Sequence, residues 1–249
     1  MLDTKSANGH SEEPSTKLRV LLIAPSGADA ERISFLLHRG GGFETTVTSP
    51  DVEVLGAIAA LEPQLVVLSL PALENRSLSL CARIRDAFNI AMVICSSATS
   101  ESDIVIGLES GADDYLVMPM HPIEFAARLR AVVRRAKDSD FIQSERDHLI
   151  AGELDVDLDQ RRAYCKGRMV DLSPTEFRLL TSLMRQAGRP VSHSKLLAQT
   201  WGPEYVDARN YIRLYIRRLR SKLEDNPDAP KLIVNERGIG YRFQPGAAA

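Results

Sequence analysis

The stretch LSPTEFRLLTSLMRQAGRPVSHSKLLAQTWGPEYVDARNYIRLYIRRLRSKLE, Leu172 to Glu224, decides the fold of the C-terminal half. Ser173, Pro174 and Glu176 supply an N-cap, a first-turn proline and a capping-box glutamate, which predict a helix to about Gln186 that stops at Gly188. His193 to Trp201 predicts a short second helix ended by Gly202 and Pro203, and Ala208 to Leu223 predicts the longest of the three. In that last helix Ile212, Ile216, Leu219 and Leu223 form one apolar stripe that must face a core. Projection at about 100° per residue puts Asn210, Leu214, Arg217, Arg218 and Ser221 opposite, with Arg213 and Arg220 on one flank and Tyr211, Tyr215 and Lys222 on the other. Arg209, Arg213, Arg217, Arg218, Arg220 and Lys222 meet no acid before Glu224, and such a set repels itself unless it is solvated or paired with phosphate.

Outward from this segment, Glu153–Leu158, Arg161–Lys166 and Arg168–Leu172 read as short antiparallel strands. Lys231–Asn235 and Tyr241–Gln244 read as a hairpin around a GlyIleGly turn. Small sheet, three helices and hairpin make a winged helix-turn-helix. Further upstream the pattern changes. Leu18–Ala24, Glu44–Thr48, Leu65–Leu70, Ala91–Cys95 and Tyr115–Met118 predict strands, the first, third and fourth being short apolar runs rich in β-branched residues, as expected of parallel strands buried on both faces. Ala28–Arg39, Val52–Leu61, Leu78–Phe88, Ser102–Ser110 and Ile123–Ala136 predict the helices between and after them. Five β units alternating with five α units predict an α/β fold with a doubly wound sheet, followed by the α+β winged-helix domain. The expected domains are a disordered tail (1–17), a doubly wound domain (18–136), a charged linker (137–149) and a winged-helix domain (150–245).

Composition agrees with two domains: 249 residues at 44% hydrophobic content can bury two ordinary cores. Residues 1–149 hold 14 Lys/Arg against 21 Asp/Glu, a net of −7, whereas residues 150–249 hold 17 against 12, a net of +5. That asymmetry directs the C-terminal half toward a polyanion. The first 17 residues lack an apolar stretch and no segment reaches a membrane span, so a cytoplasmic protein without membrane partners is expected. Cys81, Cys95 and Cys165 are three in number and far apart, which excludes a disulfide framework or a CxxC knuckle. Cys165, near a strand end, is the more exposed candidate for redox chemistry. His10, His38, His121, His148 and His193 lack ligand spacing, and no HExxH, GxSxG, Walker or GxGxxG pattern occurs, so neither an enzyme nor a cofactor is expected.

Residues 150–245, through Leu172–Glu224 and the later LIVNERGIGYRF, resemble the effector domain of the OmpR/PhoB family of response regulators, in wording most like its KdpE-type branch. The resemblance implies a transcription regulator that binds double-stranded DNA. Ala208–Leu223 would enter the major groove, bringing Arg209, Asn210, Tyr211, Arg213, Leu214, Arg217, Arg218, Arg220 and Lys222 to the duplex. Arg237 at the wing tip would reach a minor groove, and the loop Trp201–Asp207 would face RNA polymerase.

Residues 18–136 resemble the family's receiver domain, most clearly in GLESGADDYLVMPMHPIEFAARLRAVVRR. A working receiver holds Mg²⁺ on acids after the first strand, accepts phosphoryl on an aspartate after the third, and uses a hydroxyl and a lysine after the fourth and fifth. Here Ala24 and Pro25 stand at the metal positions, Ser69 at the acceptor and Met118 at the lysine, leaving only Ser96 or Ser97 to match. Control without aspartyl phosphorylation is therefore expected. Asp29 and Glu31, slightly downstream, read as solvated helix-start acids. A homodimer through the fourth and fifth helices, formed without a phosphoryl donor, follows from the resemblance. Asp113 would pair with Arg135 and Asp114 with Arg128 between protomers, Ile104 and Leu108 adding apolar contact. The alternative is that the altered pocket, walled by Ala24, Ser69, Ser96 and Met118, takes a small-molecule or protein signal.

Overall fold

The computed structural model describes residues 17–25, 27–50, 53–70, 75–137 and 148–245. Almost all of the expected tail and most of the expected linker lie outside the described residues.

The first domain is the doubly wound sheet that alternation predicts. Strands β1 (Leu18–Ile23), β2 (Phe43–Thr48), β3 (Leu65–Ser69), β4 (Ala91–Ser96) and β5 (Asp114–Val117) lie in the order β2-β1-β3-β4-β5, every neighbour parallel. Side-chain alternation sorts the core. Val20 and Leu22 of β1 pack toward α1 (Ala28–Gly40) and α5 (Pro122–Lys137), meeting Ile33, Leu37, Phe125 and Leu129. Leu21 and Ile23 point the other way, toward α2 (Val54–Leu61), α3 (Asn75–Ala87) and α4 (Glu101–Glu109). Ser100 caps α4 by accepting from the Asp103 backbone N–H.

The second domain begins with an antiparallel sheet, β6 (His148–Ala151), β7 (Leu154–Asp157), β8 (Arg162–Cys165) and β9 (Arg168–Val170), in sequential order. Strand β6 corrects the expected boundary: His148 and Leu149, assigned to the linker, pair with Asp157 and Val156. Its short, half-exposed run carries too weak an alternation to stand out. Helices α6 (Pro174–Met184), α7 (His193–Thr200) and α8 (Arg209–Leu223) follow, with the expected capping box at Ser173 and Glu176. The wing is β11 (Ile233–Glu236) and β12 (Gly240–Phe243), joined by a strand absent from the sequence reading, β10 (Pro190–Ser192). Gly240 is required there, because a Cβ would lie 2.1 Å from the Val191 carbonyl oxygen.

One apolar cluster runs through both domains. It joins Leu108 and Tyr115 of the first to Trp201, Tyr211, Leu214 and Tyr215 of the second.

Candidate DNA interface and the face that covers it

Helix α8 forms as its stripe requires: Ile212, Ile216, Leu219 and Leu223 are buried in the second domain. The opposite face differs from expectation. Leu214 is 6% exposed and Tyr211 8%, because α4 and β5 of the first domain lie against them. The inner edge of α8 is paired residue by residue. Asn210 donates to Glu101 Oε1, Arg218 donates to the Leu108 carbonyl, and Arg217 lies 3.4 Å from Glu109. Tyr215 donates to the Ala112 carbonyl at 2.6 Å.

The loop between α7 and α8 is seated on the same face. Its single 3₁₀ turn, Pro203–Tyr205, buries Tyr205, whose hydroxyl donates to Asp114 Oδ2 at 2.5 Å and accepts from Arg128 Nη1 at 2.9 Å. Arg135 donates to the Trp201 carbonyl, and its guanidinium lies 3.6 Å from Asp114. Thr175 of α6 donates to Asp113 Oδ1 at 2.8 Å. Trp201 meets Tyr211 and Tyr215 nearly edge-on, at 5.8 and 5.0 Å between ring centres. Such ring pairs add roughly 0.5–1.5 kcal/mol each beyond the area they bury.

Within this chain the residues of the expected acid–base pairs all have partners of their own. Asp113 serves Arg85 at 2.8 Å, the Met92 N–H at 3.0 Å and Thr175, so its carboxylate ties the α4–β5 turn together. Asp114 is wholly buried, and Arg128 serves Glu124 and Tyr205. Burial raises the Asp114 pKa above its ordinary value, against the opposing pull of Arg135, the Tyr205 hydroxyl and the Tyr115 N–H. Leu108 is buried and Ile104 half-buried, both within the chain's own core. Sequence periodicity could not assign these contacts, because an α4–β5–α5 surface offered to a second copy and one offered to the chain's own second domain are written with the same residues.

The outer edge of α8 is different. Arg209 and Arg213 are exposed, as is Arg237 at the wing tip, and among the described residues none of the three has a carboxylate within ion-pair distance. Both α8 arginines stand close enough to His193 to help lower its pKa, with burial the larger cause. Arg220 and Lys222 are committed elsewhere. Arg220 holds the wing through the Ile233 carbonyl at 2.7 Å and lies over Tyr241, while Lys222 pairs with Glu176 at 2.7 Å. The functional residues missed by sequence reasoning are Glu101, Glu109 and Thr175. The surplus of acid in the N-terminal half was the available signal for the first two.

At the carboxyl ends of the parallel strands, Ala24, Ser69, Ser96 and Met118 are buried and Pro25 half-buried. Ser69, Ser96 and Met118 line, with Asp29, Arg32 and Cys95, a cavity of about 20 Å³. That is room for about one water. Asp29 lies 3.7 Å from Arg32. Cys81 and Cys95 are buried, and desolvation pushes the Cys81 thiol up to about 11 and Cys95 higher still; the half-buried Cys165 is raised as well. Thiolate chemistry is disfavoured at all three.

A helix-turn-helix with a wing, carried behind a receiver-like sheet, defines a transcription regulator of the response-regulator class. Residues 167–243 match the family model "Transcriptional regulatory protein, C terminal". The chain is 32% identical over 227 residues, 91% of its length and 97% of the relative's, to the DNA-binding response regulator MtrA of Mycolicibacterium smegmatis. It is 35% identical over 203 residues, 82% of its length and 89% of the relative's, to the transcriptional regulatory protein KdpE of Mycobacterium tuberculosis. Among solved structures, a mutant form of RitR superposes with a TM-score of 0.72 over 92% of this chain and 100% of that one, at 22% identity, a likeness of fold. The chain belongs to the OmpR/PhoB family of response regulators and is a DNA-binding transcription regulator, not an enzyme. Among the described residues no helix is long and apolar enough to cross a membrane.

Proposed function

We propose that this regulator binds its operator through the inner face of α8 and the wing, and that its own receiver-like face keeps that binding off until the two domains part. The observation that carries the reading is the burial of Leu214 and the pairing of Asn210, Arg217 and Arg218 with α4. Carboxylates and a backbone carbonyl there take the donors that base edges and phosphates would take. DNA and α4 therefore compete, and a ligand that binds one state alone shifts the equilibrium toward it.

Aspartyl phosphorylation does not drive the opening. Ala24 and Pro25 cannot coordinate Mg²⁺, the Ser69 hydroxyl is a poor phosphoryl acceptor at neutral pH, and Met118 supplies no charge. Among the described residues the space beside Ser69 is small, about 20 Å³, which favours a protein signal over a small molecule as the alternative control. Parting of the domains would also free the loop Trp201–Asp207 for RNA polymerase and the α4–β5–α5 face for a second copy. The dimer thus follows opening in this cytoplasmic regulator, because one face cannot hold both partners.

The test is selection of duplexes from a random pool by the full chain and by an opened variant, Tyr205→Phe with Glu109→Ala. Enrichment of a direct-repeat sequence by the opened variant, with weaker binding of it by the natural chain, is the expected result, and sedimentation should show the dimer growing with opening. Equal affinity of the two proteins for the selected duplex would end the masking reading.

A further inference from the structure

The closed chain divides the basic residues of α8 into two sets. On the inner edge Asn210, Arg217 and Arg218 are taken by Glu101, Glu109 and the Leu108 carbonyl. On the outer edge Arg209 and Arg213 lie one turn apart, both exposed and close to His193 at the start of α7, with Arg213 also near Tyr241 of the wing. Arg237 follows at the tip of the same wing, next to Gly238, whose φ of 78° and lack of a side chain leave open space there. None of these guanidinium groups has a carboxylate within ion-pair distance among the described residues, although the chain as a whole carries two more acids than bases. Cations held together and unneutralised are attractive to a polyanion and repulsive to one another.

We propose that the closed chain itself binds the phosphate backbone of duplex DNA through Arg209, Arg213 and Arg237, holding DNA without reading it. This rests on the DNA-regulator reading above and adds a state to it. Phosphate contacts position a protein on the duplex but carry no sequence information, which resides at the base edges that Asn210, Leu214 and Arg218 cannot reach while α4 covers them. Closure therefore removes specificity and leaves a weaker affinity that rests on phosphate contacts alone. A closed molecule can be carried along DNA as a weak, sequence-blind complex, and the inner edge engages only where an operator outcompetes α4.

The experiment is fluorescence anisotropy of a scrambled duplex of about 20 base pairs with the full chain, from about 25 to 200 mM salt. Three phosphate contacts at about 0.9 each give an expected log–log slope near −2.7 for the natural chain, steepening in the Tyr205→Phe, Glu109→Ala variant as Arg217 and Arg218 join. The triple variant Arg209→Ala, Arg213→Ala, Arg237→Ala, checked for folding by circular dichroism, should bind the scrambled duplex at least about ten-fold more weakly at low salt. Undiminished binding by the triple variant overturns the proposal, as does tighter binding of single-stranded RNA or polyglutamate than of the duplex. If the opened variant binds duplex and the natural chain does not, this inference alone is lost. If neither binds any duplex, the reading of a DNA regulator masked by its receiver fails with it.

Discussion

The Tyr205 hydroxyl donates to the Asp114 carboxylate at 2.5 Å, joining the loop that precedes α8 to the strand at the centre of the covering face. Arg128 donates to the same hydroxyl at 2.9 Å, so the phenol is held between an acid and a base contributed by the other domain. Tyr205→Phe keeps the ring and removes both bonds. Hydrogen bonds to charged groups are worth about 1.5–3 kcal/mol, so closure should weaken by roughly that amount. Small-angle scattering should show a larger radius of gyration and anisotropy a tighter operator complex; unchanged values in both would show that the hydroxyl does not secure the closed form.

Asp114 also sets a pH dependence. Burial raises its pKa in the closed form, while Arg128 and Arg135 of α5 pull it down and Cys95 of β4, Tyr205 and Tyr211 face it from the other sides. Exposed by opening, the carboxyl returns toward its ordinary value of 3.8. Closing then takes up a proton between the two values, so acid favours the closed form, and this contribution is lost as pH rises through the raised value. Operator affinity should fall as pH drops from neutral toward the ordinary carboxylate range, and Asp114→Asn should flatten that fall. An identical profile in the variant would remove Asp114 from the effect.

Arg218 has two partners in prospect, the Leu108 carbonyl in the closed chain and a base edge in the open one. Its truncation must therefore be read in the Tyr205→Phe background, where closure no longer hides the loss. There Arg218→Ala should cost roughly 1–3 kcal/mol of operator affinity and relax base preference at one position. A uniform loss across all sequences would reassign Arg218 to phosphate.

Acetyl phosphate or beryllofluoride with Mg²⁺ should change neither scattering profile nor operator affinity. Ser69→Asp alone should restore no response, since Ala24, Pro25 and Met118 still withhold the metal acids and the lysine. A phosphoryl-dependent gain in the natural chain that disappears in Ser69→Ala would overturn phosphorylation independence.

The wing depends on one close approach. A Cβ at Gly240 would lie 2.1 Å from the Val191 oxygen and 3.0 Å from the His193 nitrogen, both backbone atoms with no rotamer to yield. Gly240→Ala should cost roughly 1–3 kcal/mol by overpacking, and calorimetry should show the transition lowered by about 4–8 °C for each kcal/mol lost. A transition at the natural temperature would mean that β10 separates from β12 without penalty.

The sequence by itself determined both domains and the direction of their function. Apolar runs such as Leu65–Ser69 can only be buried strands, the stripe Ile212, Ile216, Leu219 and Leu223 can only face a core, and a capping box at Ser173 can only open a helix. Each of these is a local rule, with a period or a spacing of a few residues. Strand β6 escaped it because it continues a charged, aperiodic stretch with a single buried residue, and β10 because only Val191, between Pro190 and Ser192, is buried. What only the tertiary structure decided is which partner each surface meets. Leu214 and Tyr211 carry the same side chains whether they face a groove or α4, and Asp114 is an acid whether it waits for another protomer or accepts from Tyr205 91 positions away. Surface chemistry states what a face can bind; the packing of distant segments states what it binds first.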